Sequence, residues 1–243
     1  MNFENEAKKL YFIAGVTSFL QLITIAGYGV ALAVLGPKPQ TAQEFFLIQQ
    51  NSSLEVILRS DFLLMVLIGL YLITFPALYL ALRKLSPIFS AMALMMTIAA
   101  AVITFSTDST LSMLYLGERY LSAATDALRA QYLSAGEAVI ALDMWNSSGS
   151  YANGILLQGS GVIISLIMLR SPDFRKLTAW SGLLGNGFDL IQHVLHPFLP
   201  ALMAPIQSFM GVFYLVWYVM LGLDLLRLGK STSKPEALIQ LSN

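Results

Sequence analysis

The chain has 243 residues, 56% of them apolar and only 12% charged, about half the share of charge usual in a soluble domain. Fourteen acids balance fourteen bases, and no basic tract or aromatic-plus-basic interleaving occurs, which sets nucleic-acid binding aside. The absence of cysteine excludes a disulfide framework, a thiolate zinc site and a cysteine nucleophile, so any metal must be held by His, Asp or Glu.

In chain order, six apolar runs are long enough to cross a bilayer, which takes roughly 20 residues. They lie at 10–35, 54–82, 87–116, 150–169, 177–196 and 204–228. The first exceeds a signal-peptide core and lacks a small-residue cleavage site, so it reads as a retained span. "RKLSP" and "RSPDFRK" make short turns after the second and fourth runs, with Pro87 and Pro172 suited to turns or a first helical turn. The expectation is an all-α, multi-pass helix bundle with a six-span membrane domain over 1–230 and a short polar tail over 231–243.

An even number of spans puts Lys8, Lys9, Arg83, Lys84, Arg170, Arg175, Lys176, Arg227, Lys230 and Lys234 on one side and leaves Lys38, Arg59, Arg119 and Arg129 for the other. That asymmetry places both termini in the cytoplasm of a cell-membrane protein, with membrane lipids as its surroundings. Two longer segments then face outward. "GPKPQTAQEFFLIQQNSS" carries an apolar patch, Phe45, Phe46 and Ile48, suited to the interface. The segment 117–149 has Leu121, Leu128, Tyr132 and Leu133 at helical spacing, which predicts a helix or helical hairpin capping the outer face.

Polar residues inside the runs mark the candidate site. Arg59 and Asp61 open the second span, where Arg59 can reach Asp108 or Asp189. Asp108 lies in "TFSTDST" near the outer end of the third, and Gln158 lies in the fourth. Gly154, Gly159 and Gly161 in the fourth span, with Gly182, Gly185 and Gly187 in the fifth, suit close helix packing. In the fifth span "FDLIQHVLHPF" sets Asp189, His193 and His196 on one helix face, extended one turn inward by Asn186. The only two histidines of the chain are in it. Gln207 opens the sixth span, Trp217 stands near its middle in an aromatic cluster with Tyr214 and Tyr218, and Asp224 is spaced to pair with Arg227.

An acid inside a span needs a partner or a wet cavity. Three readings of the Asp189, His193 and His196 stripe stay open. It can ligate zinc or a similar ion and acidify a bound water for hydrolysis. It can carry protons, with Asp189 and His193 titrating as a pair. Or it can be a structural polar seam between helices.

Two passages resemble a known family. "LEVILRSDFLLMVLIGLYLITFPALYLALRKLSP" resembles the second span of the prokaryotic membrane proteins of domain-of-unknown-function family 4386, and "GILLQGSGVIISLIMLRSPDFRKLTAWSGLLGNGFDLI" resembles that family's fourth and fifth spans with their basic link. The resemblance runs from Leu10 to Leu228 and implies a six-span bundle with no catalytic set to carry over. A looser likeness to alkaline-ceramidase-type hydrolases implies a seven-span bundle with Ser, Asp and three His around zinc, whereas this chain has two His and one span fewer.

The functional expectation is an outer-leaflet pocket formed mainly by spans two, three and five and lined by Arg59, Asp61, Asp108, Asn186, Gln207 and Trp217, which binds or moves a small amphiphile or lipid. The alternatives are a zinc-dependent hydrolase using Asp189, His193 and His196, and a purely structural seam.

Overall fold

A computed structural model describes residues 3–143, 146–196, 198–199 and 203–230; the tail expected over 231–243, with Lys234, lies outside them. Ten helices follow one another among the described residues: α1 (Phe3–Leu35), α2 (Ala42–Asn51), α3 (Ser53–Arg59), α4 (Phe62–Leu82), α5 (Pro87–Thr107), α6 (Thr110–Leu121), α7 (Asp126–Ala141), α8 (Ser148–Met168), α9 (Lys176–Leu195) and α10 (Met203–Lys230). Five segments are long and apolar enough to cross a membrane: Phe3–Leu35, Phe62–Leu82, Pro87–Leu121, Tyr151–Met168 and Pro205–Lys230. The protein is therefore a multi-pass helical membrane protein. α9 has the length of a span, but Asn186, Asp189, Gln192 and His193 dilute its apolar content.

Two runs read as single helices are interrupted at their polar landmarks. The run 54–82 is two helices, with the break at Ser60 and Asp61. The run 87–116 pauses at Asp108 and Ser109, where Asp108 Oδ1 accepts the Thr110 N–H at 3.1 Å, and resumes as α6. The cause is the same at both places: short polar side chains compete for backbone donors and turn the chain. Pro87 occupies the first turn of α5, where its missing N–H costs nothing, and Pro76 lies within α4.

The six long helices close a ring in chain order. α1 packs on α4, α4 on α5, α5 on α8, α8 on α9, α9 on α10, and α10 back on α1. The α1–α10 approach is close: a Cβ added at Gly222 would stand 2.8 Å from the Phe19 ring, and one at Gly229 would stand 3.0 Å from the Phe12 amide nitrogen. The ring has an apolar core that includes Phe75, Leu78, Ile164, Trp217 and Leu221, sets polar groups within it, and is apolar outside. Ser90, Thr97 and Thr104, seven residues apart on α5, are buried, while Met95, Ile98, Val102 and Phe105 are exposed. Facing α8, Thr97 Oγ1 lies 2.9 Å from Ser160 Oγ, and Asn153 Nδ2 donates to Thr104 Oγ1 at 3.0 Å.

At one end of the ring, α2, α3, α6 and α7 build a cap with its own core of Ala42, Phe45, Phe46, Val56 and Met113. Here side-chain caps and exposed charges accompany the core, with Leu47, Leu54, Leu111 and Tyr115 exposed beside them. Thr41, Ser52 and Thr125 cap α2, α3 and α7, their hydroxyls accepting from the backbone N–H of Glu44, Glu55 and Leu128 respectively at 3.1–3.2 Å. The helix expected within 117–149 is α7, and Phe45 and Phe46 pack into the cap core rather than lying free. The opposite end collects the bases: Lys8, Arg83 and Lys84 line one cleft with Leu228, and Arg227 donates to the Asp173 carbonyl.

Candidate functional site in the α8–α9–α10 seam

The buried positions of α9, Thr178, Ser181, Gly182, Gly185, Asn186, Asp189 and Gln192, recur at three- and four-residue intervals and form one stripe. Its opposite face exposes Leu177, Trp180, Ile191 and Val194. α8 makes room for the larger polar groups with glycine. A Cβ added to Gly154 would overlap the His193 ring, and one added to Gly161, two turns on, would overlap the Asn186 amide. The expected close approach of these helices thus has a specific use, seating polar side chains. Gly159 instead faces Met96 of α5, and Gly187 has open space around it.

Asp189 is the hub. Its Oδ1 lies 3.1 Å from His193 Nδ1, which also lies 3.0 Å from the Asp189 carbonyl oxygen. Both partners are acceptors, so Nδ1 carries the proton and donates. Tyr214 Oη donates to Asp189 Oδ2 at 2.8 Å and also lies 2.8 Å from Gln158 Oε1 and 3.4 Å from Asn186 Oδ1. A phenol has one proton. Donation to the carboxylate is the stronger, charge-assisted choice, and the Gln158 amide can turn its NH2 toward the phenolic oxygen, whereas the Asn186 NH2 is held by the Gly182 carbonyl at 2.8 Å. Behind Tyr214, the Tyr218 ring stacks at 5.9 Å between centroids, and the Tyr218 hydroxyl meets that of Tyr71 on α4. Carboxylate, imidazole and phenol form a short linked chain that can hold one proton and share it.

α9 is anchored at its other end by Asp224 of α10. The Thr178 hydroxyl and the Arg175 N–H donate to Asp224 Oδ2 at 2.6 and 3.0 Å, and Arg175 Nε and Arg227 Nη2 each lie 3.4 Å from Oδ1. The pairing of Asp224 with Arg227 expected from their spacing is present, and the same carboxylate also serves the start of α9, where donors lack intrahelical partners.

A second polar cluster joins cap to ring. Lys38, between α1 and α2, is held by both Asp61 and Asp143, and Tyr28 Oη donates to Asp61 Oδ1 at 3.4 Å. Both carboxylates are about 1% exposed. Burial works against the Lys38 charge, but the two carboxylates outweigh it and raise its pKa above the ordinary lysine value.

The residues expected to line one outer pocket therefore divide between these clusters. Asn186 and Trp217 belong to the seam, on either side of Gly182. Asp61 belongs to the Lys38 clamp, and Asp108 turns the chain between α5 and α6. Arg59 pairs with Glu55 at 2.8 Å and donates to the Pro37 carbonyl rather than reaching Asp108 or Asp189. Gln207 is exposed on α10. His196 is the residue closing α9, its N–H on the Gln192 carbonyl at 2.8 Å. Among the described residues, no three His, Cys, Asp or Glu side chains are grouped to hold a metal ion. Asp189 and His193 give a pair, one short of the three protein ligands of a catalytic zinc, so no step is routed through a metal.

Sequence reasoning placed Tyr214 only in an aromatic cluster and gave Lys38 and Asp143 no role. The "GPKPQ" stretch offered a signal for Lys38, a base fixed between two prolines. Asp143 offered none, because its partner is 105 residues away. No protein-family model matches the chain, and no curated protein or solved structure matches it.

Proposed function

We propose that the protein is a six-span protein of the cell membrane, with α9 crossing as its fifth span, both termini cytoplasmic and the cap outside, and that its Asp189–His193–Tyr214 core is a proton-binding site coupled to the packing of α9. The reading rests on the polarity of α9. A helix that buries Asn186, Asp189 and Gln192 and exposes Trp180, Ile191 and Val194 is built to meet hydrocarbon outside and polar partners inside. Its place in the ring between α8 and α10 supports the same conclusion. The basic residues gathered at the opposite end from the cap support the orientation, and the resemblance to family 4386 implies the same number of spans.

Coupling follows from packing. The Asp189 carboxylate accepts from His193 and Tyr214 at once, so a proton taken up by the His193 ring puts a positive charge against that carboxylate and changes the balance between its two donors. His193 and Asn186 rest on glycine, so a change in their position is felt directly by α8.

Two experiments test this. Because the chain has no cysteine, Asp173→Cys and Leu199→Cys can be labelled singly; labelling from opposite faces of the membrane is expected, and from one face would remove α9 from the spans. Infrared difference spectra in bilayers between about pH 5 and about pH 8 should contain an imidazole band that His193→Gln abolishes and Asp189→Asn shifts. A purely structural seam would give lower thermal stability in both variants and no titrating band.

A second reading, binding or movement of a small amphiphile, has one observation in its favour. Trp217 Nε1 is buried without a hydrogen-bond partner beside the aromatic wall of Tyr71, Tyr214 and Tyr218. A ligand oxygen would satisfy that donor. Quenching of Trp217 fluorescence by added amphiphile, absent in Trp217→Phe, is the expected sign.

A further inference from the structure

The end of the ring opposite the cap holds a cleft of about 420 Å³ where the start of α1 meets the α4–α5 turn and the last turns of α10. Lys8, Arg83 and Lys84 form its polar wall, and Leu80 and Leu228 its apolar floor. Glu4 is the one acid lining it, and Lys8 takes it up at 2.9 Å. Arg83 lies over the Phe3 ring, 5.0 Å from its centroid, which holds the guanidinium against an aromatic face without spending its charge. Three bases against one acid leave the cleft cationic.

A smaller cleft of about 300 Å³ shares Lys8 and continues along Lys9, Phe12 and Ile13. Phe12 and Ile13 are exposed apolar residues of α1, on the outer surface of a helix long and apolar enough to span the membrane. The cationic notch therefore adjoins, at Lys8, a second cleft on the hydrocarbon-facing side of α1. A soluble anion would use only the first part of this surface. A molecule with a phosphate and an acyl chain would use all of it.

We propose that this cleft binds an anionic phospholipid, its phosphate between Lys8, Arg83 and Lys84 and an acyl chain along Phe12 and Ile13. Basic residues next to a membrane surface each add to the hold on an anionic headgroup, and the guanidinium of Arg83 is suited to two phosphate oxygens at once. The site is separate from the seam and does not depend on the protonation reading.

The test is native mass spectrometry of the whole protein in neutral detergent, titrated separately with phosphatidylglycerol, phosphatidylcholine and inorganic phosphate. Retained phosphatidylglycerol in clear excess over phosphatidylcholine, with no stable phosphate adduct, is expected. In the double variant Arg83→Gln, Lys84→Gln the phosphatidylglycerol affinity should fall about tenfold or more. Leu228→Trp, which fills the floor and keeps every charge, should reduce it as well. The control Arg170→Gln, Lys176→Gln removes two bases at the same end but outside the cleft and should leave binding unchanged. Equal retention of the two lipids overturns the proposal, as does equal loss in the control pair, which would make the attraction a diffuse surface charge. Phosphate bound as well as the lipid would make it a soluble-anion site instead.

Discussion

In the cap, Phe45, Phe46 and Met113 are buried while Glu118, Arg119 and Glu137 face out; in the ring, Ser18, Thr97 and Thr104 are buried while Phe12, Ile98 and Val102 face out. The cap thus buries apolar side chains beneath charged ones, whereas the ring buries polar groups among its apolar core and leaves further apolar residues outside, and the boundary between the two falls at the ends of α1 and α4 and the α5–α6 break. The cap gains stability by removing apolar surface from water. The ring has no such gain, because hydrocarbon is as good a neighbour for Ile98 as another helix. It is held by close packing and by hydrogen bonds between polar groups. Substitutions of the same kind should therefore have different consequences in the two regions.

The largest effect is expected where the regions join. Lys38→Met leaves Asp61 and Asp143 buried without their shared cation, and removing one partner of a buried ion pair costs about 3–5 kcal/mol. Thermal unfolding should show it as an early loss of the cap. The pH dependence follows from the raised pKa of Lys38: the clamp contributes fully below lysine's ordinary pKa of 10.5 and is lost only as pH rises through the higher folded value. Neutral and mildly alkaline solutions should leave this contribution intact. An early alkaline transition, below the ordinary lysine range, would contradict the two-carboxylate clamp.

A comparable cost is expected inside the cap and none outside the ring. Phe46→Ala empties the centre of the cap core and should cost about 3–5 kcal/mol, whereas an aromatic residue exposed on the ring, Phe105, should be replaceable by Ala for under about 1 kcal/mol. Hydrogen exchange would localise the first loss to α2, α6 and α7. If Phe105→Ala were as damaging, the outer face of α5 would have to be packed against protein.

Charge sharpens the comparison further. Val102 is 62% exposed on α5, and Ala138 is exposed on α7. By the polarity of its surroundings, Val102→Arg should cost about 2.5–3.5 kcal/mol in a membrane-insertion assay. Ala138→Arg should fall within about 0.5 kcal/mol of the parent. Equal tolerance at the two positions would erase the distinction between the lipid face and the water face.

Five helices of the ring were legible because hydropathy reports the solvent outside a helix, and that signal runs the length of 10–35, 62–82, 87–107, 151–168 and 205–228. α9 was legible for a different reason: Asn186, Asp189 and His193 recur at helical intervals within an apolar frame. The interruptions at Ser60–Asp61 and Asp108–Ser109 were not, since a Ser, Thr and Asp cluster near a span end suits a continuing polar face as well as a turn. The division of the polar residues into two clusters depends on helix rotation and on partners far apart in sequence, as with Lys38 and Asp143. Tyr214 shows the same limit from the other side. Its aromatic ring was visible as packing material, but its bond to Asp189 exists only because α9 and α10 present those two faces to each other.

The smallest effect tests what holds the ring together. Thr97 Oγ1 lies 2.9 Å from Ser160 Oγ, and either hydroxyl can donate to the other; the Ala93 carbonyl at 3.0 Å from Thr97 Oγ1 and the Leu157 carbonyl at 2.6 Å from Ser160 Oγ are the acceptors within their own helices. Thr97→Val keeps the shape and removes the hydroxyl. Because Ser160 retains its own acceptor, no donor is stranded, and the expected cost is about 0.6 kcal/mol, the average for hydrogen bonds between membrane helices. Unfolding by denaturing detergent resolves a difference of that size when the variant is measured beside Ser160→Ala and the double variant. A coupling near 0.6 kcal/mol would mean that the buried hydroxyls act as many weak ties, with α8 and α5 held mainly by fit. A coupling several times larger would give the seam hydroxyls the weight that Phe46 has in the cap, and the contrast between the two regions would then lie in which groups are buried rather than in how strongly burial stabilises them.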